Sequence, residues 1–413
     1  MAVPGQRRSP RPRTLGLGVT AAVAALVLAA CGSGSSSSSG SSITELDYYS
    51  DQQGSAAWQQ VLDGCQQQTG VTVKRQSLPT DQLLPRLLQA GPHSLPDLAF
   101  TDNPTLQQVA STGALTPLTD YGFSAAGYAQ SIVQAGTYQG KIYGLAPGVN
   151  GLALIYNKDL LTAAGIQPPT TWDELKADAT KLTRGSQYGL AFSAVATEEG
   201  TWQFLPFFWS NGGDLSKLDS PQGVQALQYV SDLVSDGSTS KSVLTWNQND
   251  VADQFVAGNA AMMINGSWNL ARLDSTANLH YGVVPIPVPQ AGKQPVVALG
   301  GEVGIIPATG DATQQAAAKV LSCILSDKTM SSWDKGHAYV PSKTSVATTF
   351  GQQNPEMQPF VSEVATARSR TAQLGDKYAK VSTALGAALQ SALTGQQSPQ
   401  QALTQAQQQA TGS

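Results

Sequence analysis

Apolar residues in this chain follow two rhythms that replace one another along its length. Ile43 to Ser50 reads as a strand, and Asp51-Gln52-Gln53-Gly54 as the turn after it. Trp58, Val61, Leu62 and Cys65 then recur at helical spacing, which predicts a buried helix face ending at Gly70. Val71 to Val73 is a second strand, Leu83 to Leu88 a helix, and Pro96 to Phe100 a buried strand ending in Thr101-Asp102-Asn103. Strand, helix, strand, helix, strand predicts a parallel open sheet in an α/β fold. In such sheets ligands gather beyond the carboxyl ends of the strands. Two polar clusters, Ser50-Asp51-Gln52 and Thr101-Asp102-Asn103, stand at those ends, although Asx residues that merely form turns account for them equally well.

The stretch from Gly140 to Leu175, GKIYGLAPGVNGLALIYNKDLLTAAGIQPPTTWDEL, carries the densest punctuation. A strand crosses a break at Pro147-Gly148, resumes through Leu152, Leu154 and Ile155, and gives way to a short helix and a Pro-Pro stop. Thr171 and Glu174 are spaced as a capping box, so a new helix starts there. Further on, Tyr188 to Phe192 is a strand, FLPFFW a helix stopped at Asn211-Gly212-Gly213, and Ser220-Pro221 opens a helix faced by Val224, Leu227, Val230, Leu233 and Val234. Phe255 to Ile264 leads into Asn265-Gly266-Ser267-Trp268. Tyr281 to Pro285 is the next strand, and Val297 to Ile306 (VALGGEVGII) another extended segment. The C-terminal run from Ala379 to Ala410 is helical and rich in Gln and Ala.

Composition narrows the function classes. The 413 residues suffice for two domains; net charge is −4, and no Lys/Arg run exists beyond the extreme N-terminus, which excludes a phosphate-tracking face for nucleic acid. Only 13% of residues are charged, so the surface is polar rather than ionic. Arg7, Arg8, Arg11 and Arg13 precede an apolar run from Leu15 to Ala30, about 16 residues against the roughly 20 that a spanning helix needs. Leu28-Ala29-Ala30-Cys31 is similar to a bacterial lipobox, so residues 1–31 read as a lipoprotein signal with Cys31 lipidated; an uncleaved signal anchor is the other reading. Residues 32–42 are nearly pure Gly and Ser, a flexible tether.

Signs of catalysis are sparse. Glu198-Glu199 are adjacent carboxylates, but sequence neighbours do not flank a substrate from opposite sides. His93, His280 and His337 lack metal-ligand spacing, and the chain has neither a Gly-x-Ser-x-Gly elbow nor a P-loop. We therefore expect no enzyme, no cofactor and no metal.

The words GKIYGLAP, YNKDLL and PPTTWDEL, with NGSW after Phe255 and LGGE after Val297, resemble the extracellular solute-binding proteins of carbohydrate ABC importers, family 1, which includes maltose-binding protein. The resemblance runs in order from about residue 43 to 405. It implies a two-lobed, periplasmic-binding-protein-like Venus-flytrap fold with three interlobe crossovers. Lobe one would hold residues 43–149 and 297–341, and lobe two residues 150–296 and 342–413. It also implies a carbohydrate ligand in the cleft, permease subunits as partners, membrane attachment through the lipid anchor alone on the extracytoplasmic face, and a monomer. Polyamine, iron, phosphate or peptide ligands on the same fold remain the alternative. Matched positions put Asp51, Gln52, Asp102, Asn103, Asn150, Gly301, Glu302, Tyr339 and Arg370 around the ligand, with Trp268 and Trp202 as stacking platforms and Tyr378 beside Arg370. Core packing is the competing role for both tryptophans, and Trp209 reads as core. Sugars present apolar faces and a hydroxyl rim, which is why flat aromatics and planar polar groups suit them. The family topology places the helices of Cys65 and Cys323 in one lobe. A disulfide and two separately buried thiols are both compatible with it.

Overall fold

The computed structural model describes residues 41–50, 52–91 and 94–411. The lipobox, Cys31 and most of the Gly/Ser tether lie outside them. Ser42, which the sequence reading assigns to the tether, already pairs with Thr72 in a sheet. The strands that position the site are β1 (Ser42–Asp47), β2 (Thr72–Ser77), β3 (Leu98–Asp102), β4 (Gly144–Leu145), β5 (Gly148–Val149) and β6 (Leu152–Asn157). They continue with β7 (Tyr188–Ala191), β8 (Ala260–Gly266), β9 (Tyr281–Val284), β10 (Glu302–Ile305) and β11 (Val340–Pro341).

Two main sheets hold most of these strands. The first has the order β2-β1-β3-β10-β4, with β1 parallel to both neighbours and β10 antiparallel to β3 and β4. The second has the order β9-β6-β8-β7, parallel only between β8 and β7. The central strands β3 and β8 begin with apolar runs, Leu98–Phe100 and Ala260–Ile264, because both their faces are covered. Around the first sheet, Ile43, Trp58, Phe100, Leu321 and Trp333 form one core; around the second, Leu154, Phe208, Leu227, Met262 and Leu385 form another. The chain passes between sheets after β5 and again before β10. A third junction pairs β11 with β5, Val340 opposite Val149 and Pro341 opposite Gly148.

Local signals explain most boundaries. Thr171 Oγ1 accepts from Glu174 N (3.3 Å) and the Glu174 carboxylate accepts from Thr171 N (3.0 Å), closing the capping box. Ser220 caps the Pro221–Ser235 helix, with proline at its first position. The helix expected to start at FLPFFW instead spans Glu198–Ser210 and takes in Trp202. The C-terminal run is two helices, Tyr378–Leu393 and Pro399–Thr411, parted at Gly395, whose φ is +74°. Cys65 and Cys323 form a disulfide, with their Cα atoms 5.7 Å apart. No helix among the described residues is long and apolar enough to cross a membrane.

Candidate functional site

Antiparallel insertion of β10 beside β3 sets Glu302 directly opposite Asp102, so the start of one strand lies at the carboxyl end of the other. Just past the carboxyl end of β1 come Tyr48 and Tyr49, and both reach the same carboxylate. The Tyr48 hydroxyl donates to Glu302 Oε1, Tyr49 to Oε2 (2.8 Å), and Tyr339 to Oε1 (3.3 Å). Glu302 is buried. Burial raises its pKa; the Tyr48 hydroxyl offsets this, the Asp102 charge adds to the rise, Tyr49 and Tyr339 offset it further, and the result is about 7. Tyr48 and Tyr49 are pushed well above their ordinary value, by burial first and the Glu302 charge second, so their protons stay on.

A second cluster adjoins this one. Arg370 bonds Asp102 through Nη2 (2.7 Å) and Glu198, the first residue of the Glu198–Ser210 helix, through Nη1 (2.8 Å). Tyr378 donates to Glu198 Oε1 (2.7 Å), and Ser382 donates to its other oxygen. Burial raises the Glu198 pKa against the lowering influence of Arg370, Ser382 and Tyr378. Burial works against the guanidinium charge, but Asp102 and Glu198 overcome it and hold Arg370 above its ordinary value. The guanidinium lies 5.4 Å from the Trp202 ring centre. Trp202 in turn stacks near-parallel with Trp268, with centroids 5.9 Å apart at 23°.

The crossovers make this packing possible. Gly300 lies against Asn150 and Trp202, where a Cβ would stand 2.0 Å from Asn150 Oδ1 and 2.5 Å from the indole. Gly301 has φ +101°, and a Cβ there would come within 2.8 Å of Val149 Cα. The glycine pair thus lets two crossover strands and Trp202 approach one another. Trp202 Nε1 donates to Ala298 O (3.0 Å), fixing the ring against the second crossover.

Asp102, Glu302, Tyr339, Arg370, Trp202, Trp268 and Asn150 therefore belong to one connected cluster, with Gly301 beneath it. Asn103 is buried and committed to the backbone, donating to Gly301 O (2.9 Å) and Leu299 O (3.3 Å). Asp51 lies outside the described residues, as does the side chain of Gln52. Sequence reasoning overlooked Tyr48, Tyr49 and Ser382, and weighed Glu198 only as half of a carboxylate pair. The available signal was position, since Asp47-Tyr48-Tyr49 closes a strand at the ligand end of the sheet. Glu199 turns elsewhere, accepting from Ser193 Oγ (2.8 Å) and Gln248 N (2.7 Å), so the adjacent acids do not act together. Trp209 is buried core with Arg368 over its face, 4.7 Å away. Among the described residues no cluster of His, Cys, Asp and Glu could hold a metal ion.

Known proteins agree with this architecture. A Brucella abortus (strain 2308) protein, described only as a binding protein, is 30% identical over 241 residues, 54% of this chain and 58% of its own length. The chain thus spans well under two thirds of that relative. The sn-glycerol-3-phosphate-binding periplasmic protein of Salmonella typhimurium is 24% identical over 60% of this chain and 62% of its own. An ABC transporter solute-binding protein from Thermotoga lettingae, solved with α-D-tagatose, superposes with a TM-score of 0.80 at 25% identity, covering 90% of this chain and 99% of that one. The family profile that matches is the one numbered 8, not 1, and it takes in residues 60–359: the chain belongs to the bacterial extracellular solute-binding proteins.

Proposed function

We propose that this protein captures a sugar or oligosaccharide in the cleft between its lobes and delivers it to the permease of an ABC importer. The observation that carries this is the Trp202–Trp268 stack bordered by Asp102, Glu198 and Arg370, an aromatic face with a planar polar rim. That combination matches the two surfaces of a sugar ring. The sugar held by the Thermotoga relative supports the reading, while the Salmonella relative makes a phosphorylated polyol the competing class. Lobe one comprises residues 43–149 and 297–341, lobe two 150–296 and 342–413, and ligand contact with both favours closure by its differential affinity for the closed form. Cys31 carries the lipid that tethers the protein outside the cell membrane.

A thermal-shift and calorimetry screen on the purified protein, with mono- and oligosaccharides against polyamines and iron chelates, tests this. A ligand at a hundred times its Kd stabilises the fold by about 2.7 kcal/mol. Stabilisation by a control and by no sugar overturns the carbohydrate assignment.

A further inference from the structure

The site is rich in hydrogen-bond acceptors and poor in free charged donors, and that imbalance bears on what it can hold. Resting on the sugar reading above, we propose that the cleft selects neutral or amine-bearing sugars and rejects phosphorylated and uronic ones. Two guanidiniums lie near the carboxyl ends of the first sheet, and both are spent. Arg370, 2% exposed, is held between Asp102 and Glu198 at 2.7 and 2.8 Å. Arg75, at the end of β2, bonds Asp47 at 2.6 Å and the carbonyls of Ser55 and Tyr49 at 2.8 and 2.9 Å. The hydroxyls are committed in the same way. Tyr48, Tyr49 and Tyr339 donate to Glu302, while Tyr378 and Ser382 donate to Glu198.

A phosphate or carboxylate ligand needs donors, and charge-assisted ones above all. Here it would compete with the protein's own carboxylates for Arg370. It would also approach Asp102 and Glu198, whose side chains remain 24% and 29% exposed, charge against like charge. A sugar hydroxyl or an ammonium instead donates into the lone pairs these two carboxylates still offer. Arg370 Nε is the charged donor left over, on a guanidinium already answered by two acids. An amine gains further from the half-buried Trp268 ring, since Trp202 is itself buried against Trp268 and Arg370. Arg370 thus acts in specificity through its neutralisation, not as an anion hook.

The test is a charge-matched panel on the full-length protein, read by thermal shift and calorimetry: tagatose, maltotriose, glucose, glucosamine, glucose 6-phosphate, glucuronate and sn-glycerol 3-phosphate. We expect stabilisation by a neutral or amine-bearing probe, with every anionic probe at least tenfold weaker. An anionic probe that binds as tightly as the best neutral one overturns the charge rule while leaving a solute-binding protein in place. Silence from the whole panel overturns the sugar reading, and this inference with it. Pairing Asp102→Asn with Glu198→Gln releases Arg370 and is expected to create a response to sn-glycerol 3-phosphate that the parent lacks. Should that variant not fold, the wild-type panel still decides.

Discussion

Trp268 is half-buried beside Trp202 and follows Gly266, where a Cβ would collide with the indole at 1.8 Å. The ring is therefore placed by backbone design rather than by deep packing, and its loss should cost binding more than folding. Trp268→Ala is expected to weaken the best sugar of the screen at least tenfold, about 1.4 kcal/mol, with an unchanged circular dichroism spectrum. Unaltered affinity by calorimetry would remove Trp268 from the site. Glu302 makes a second prediction at this scale. Its pKa rises from 4.5 to about 7 in the fold, so the folded state holds this proton more tightly than the unfolded chain. The resulting stability is complete below pH 4.5 and disappears as the pH climbs through 7, on the order of 3 kcal/mol at most. Buried Glu45, Asp334 and Glu363 are raised in the same direction, so the comparison must be differential. Glu302→Gln should flatten that part of the fall in Tm between pH 5 and 8 that belongs to this carboxyl. Trp202, Asp102 and Arg370 were legible in the sequence as matched positions. Tyr48 and Tyr49 were not, because nothing in a strand pattern reveals that two consecutive tyrosines beyond its end converge on an acid some 250 residues away.

Elements were readable where a side chain marks the boundary and obscure where none does. The helix at Thr171 announces itself through its capping box, and the one at Ser220 through Ser-Pro. The Glu198–Ser210 helix has Thr197 at its start without any side-chain cap bond, and its first turn relies on two acids at the positive end of the peptide dipoles. Its beginning was consequently read too late, and with it went the role of Glu198. The second crossover at Gly301 shows the converse, since the glycine was conspicuous but its partner was not. What the Gly300-Gly301 pair admits is the first crossover. Gly301→Ala meets both a left-handed backbone and a contact 2.8 Å from Val149 Cα, so a loss of about 1–3 kcal/mol is expected by urea unfolding. A shift in midpoint within experimental scatter would mean that the crossovers yield more readily than their packing suggests.

At the scale of the molecule, periodicity predicts a parallel sheet but not the antiparallel strand that enters it from residue 302, nor which distant segments meet. The resemblance supplied the three crossovers but not the antiparallel pairing, because local propensity carries no information about a partner two hundred residues away. Arg370 is where this long-range order is concentrated. It joins the end of β3 in the first sheet to the start of a helix packed on the second, through a segment whose Arg368 pairs with Ala298 of a crossover. Breaking a buried ion group by removing one member leaves its partners uncompensated, typically at a cost of about 3–5 kcal/mol. Arg370→Ala is expected to fall in that range by urea unfolding at neutral pH. Lysine should not restore the loss, since one ammonium cannot reproduce a planar fork that holds two carboxylates at fixed separation. The deficit should narrow as the pH falls and the orphaned acids take up protons, because a neutral carboxyl no longer needs the missing charge. A loss in Arg370→Ala that stays constant from pH 8 to pH 4 would instead assign the side chain's contribution to packing, leaving the two lobes joined by backbone pairing and apolar contact alone.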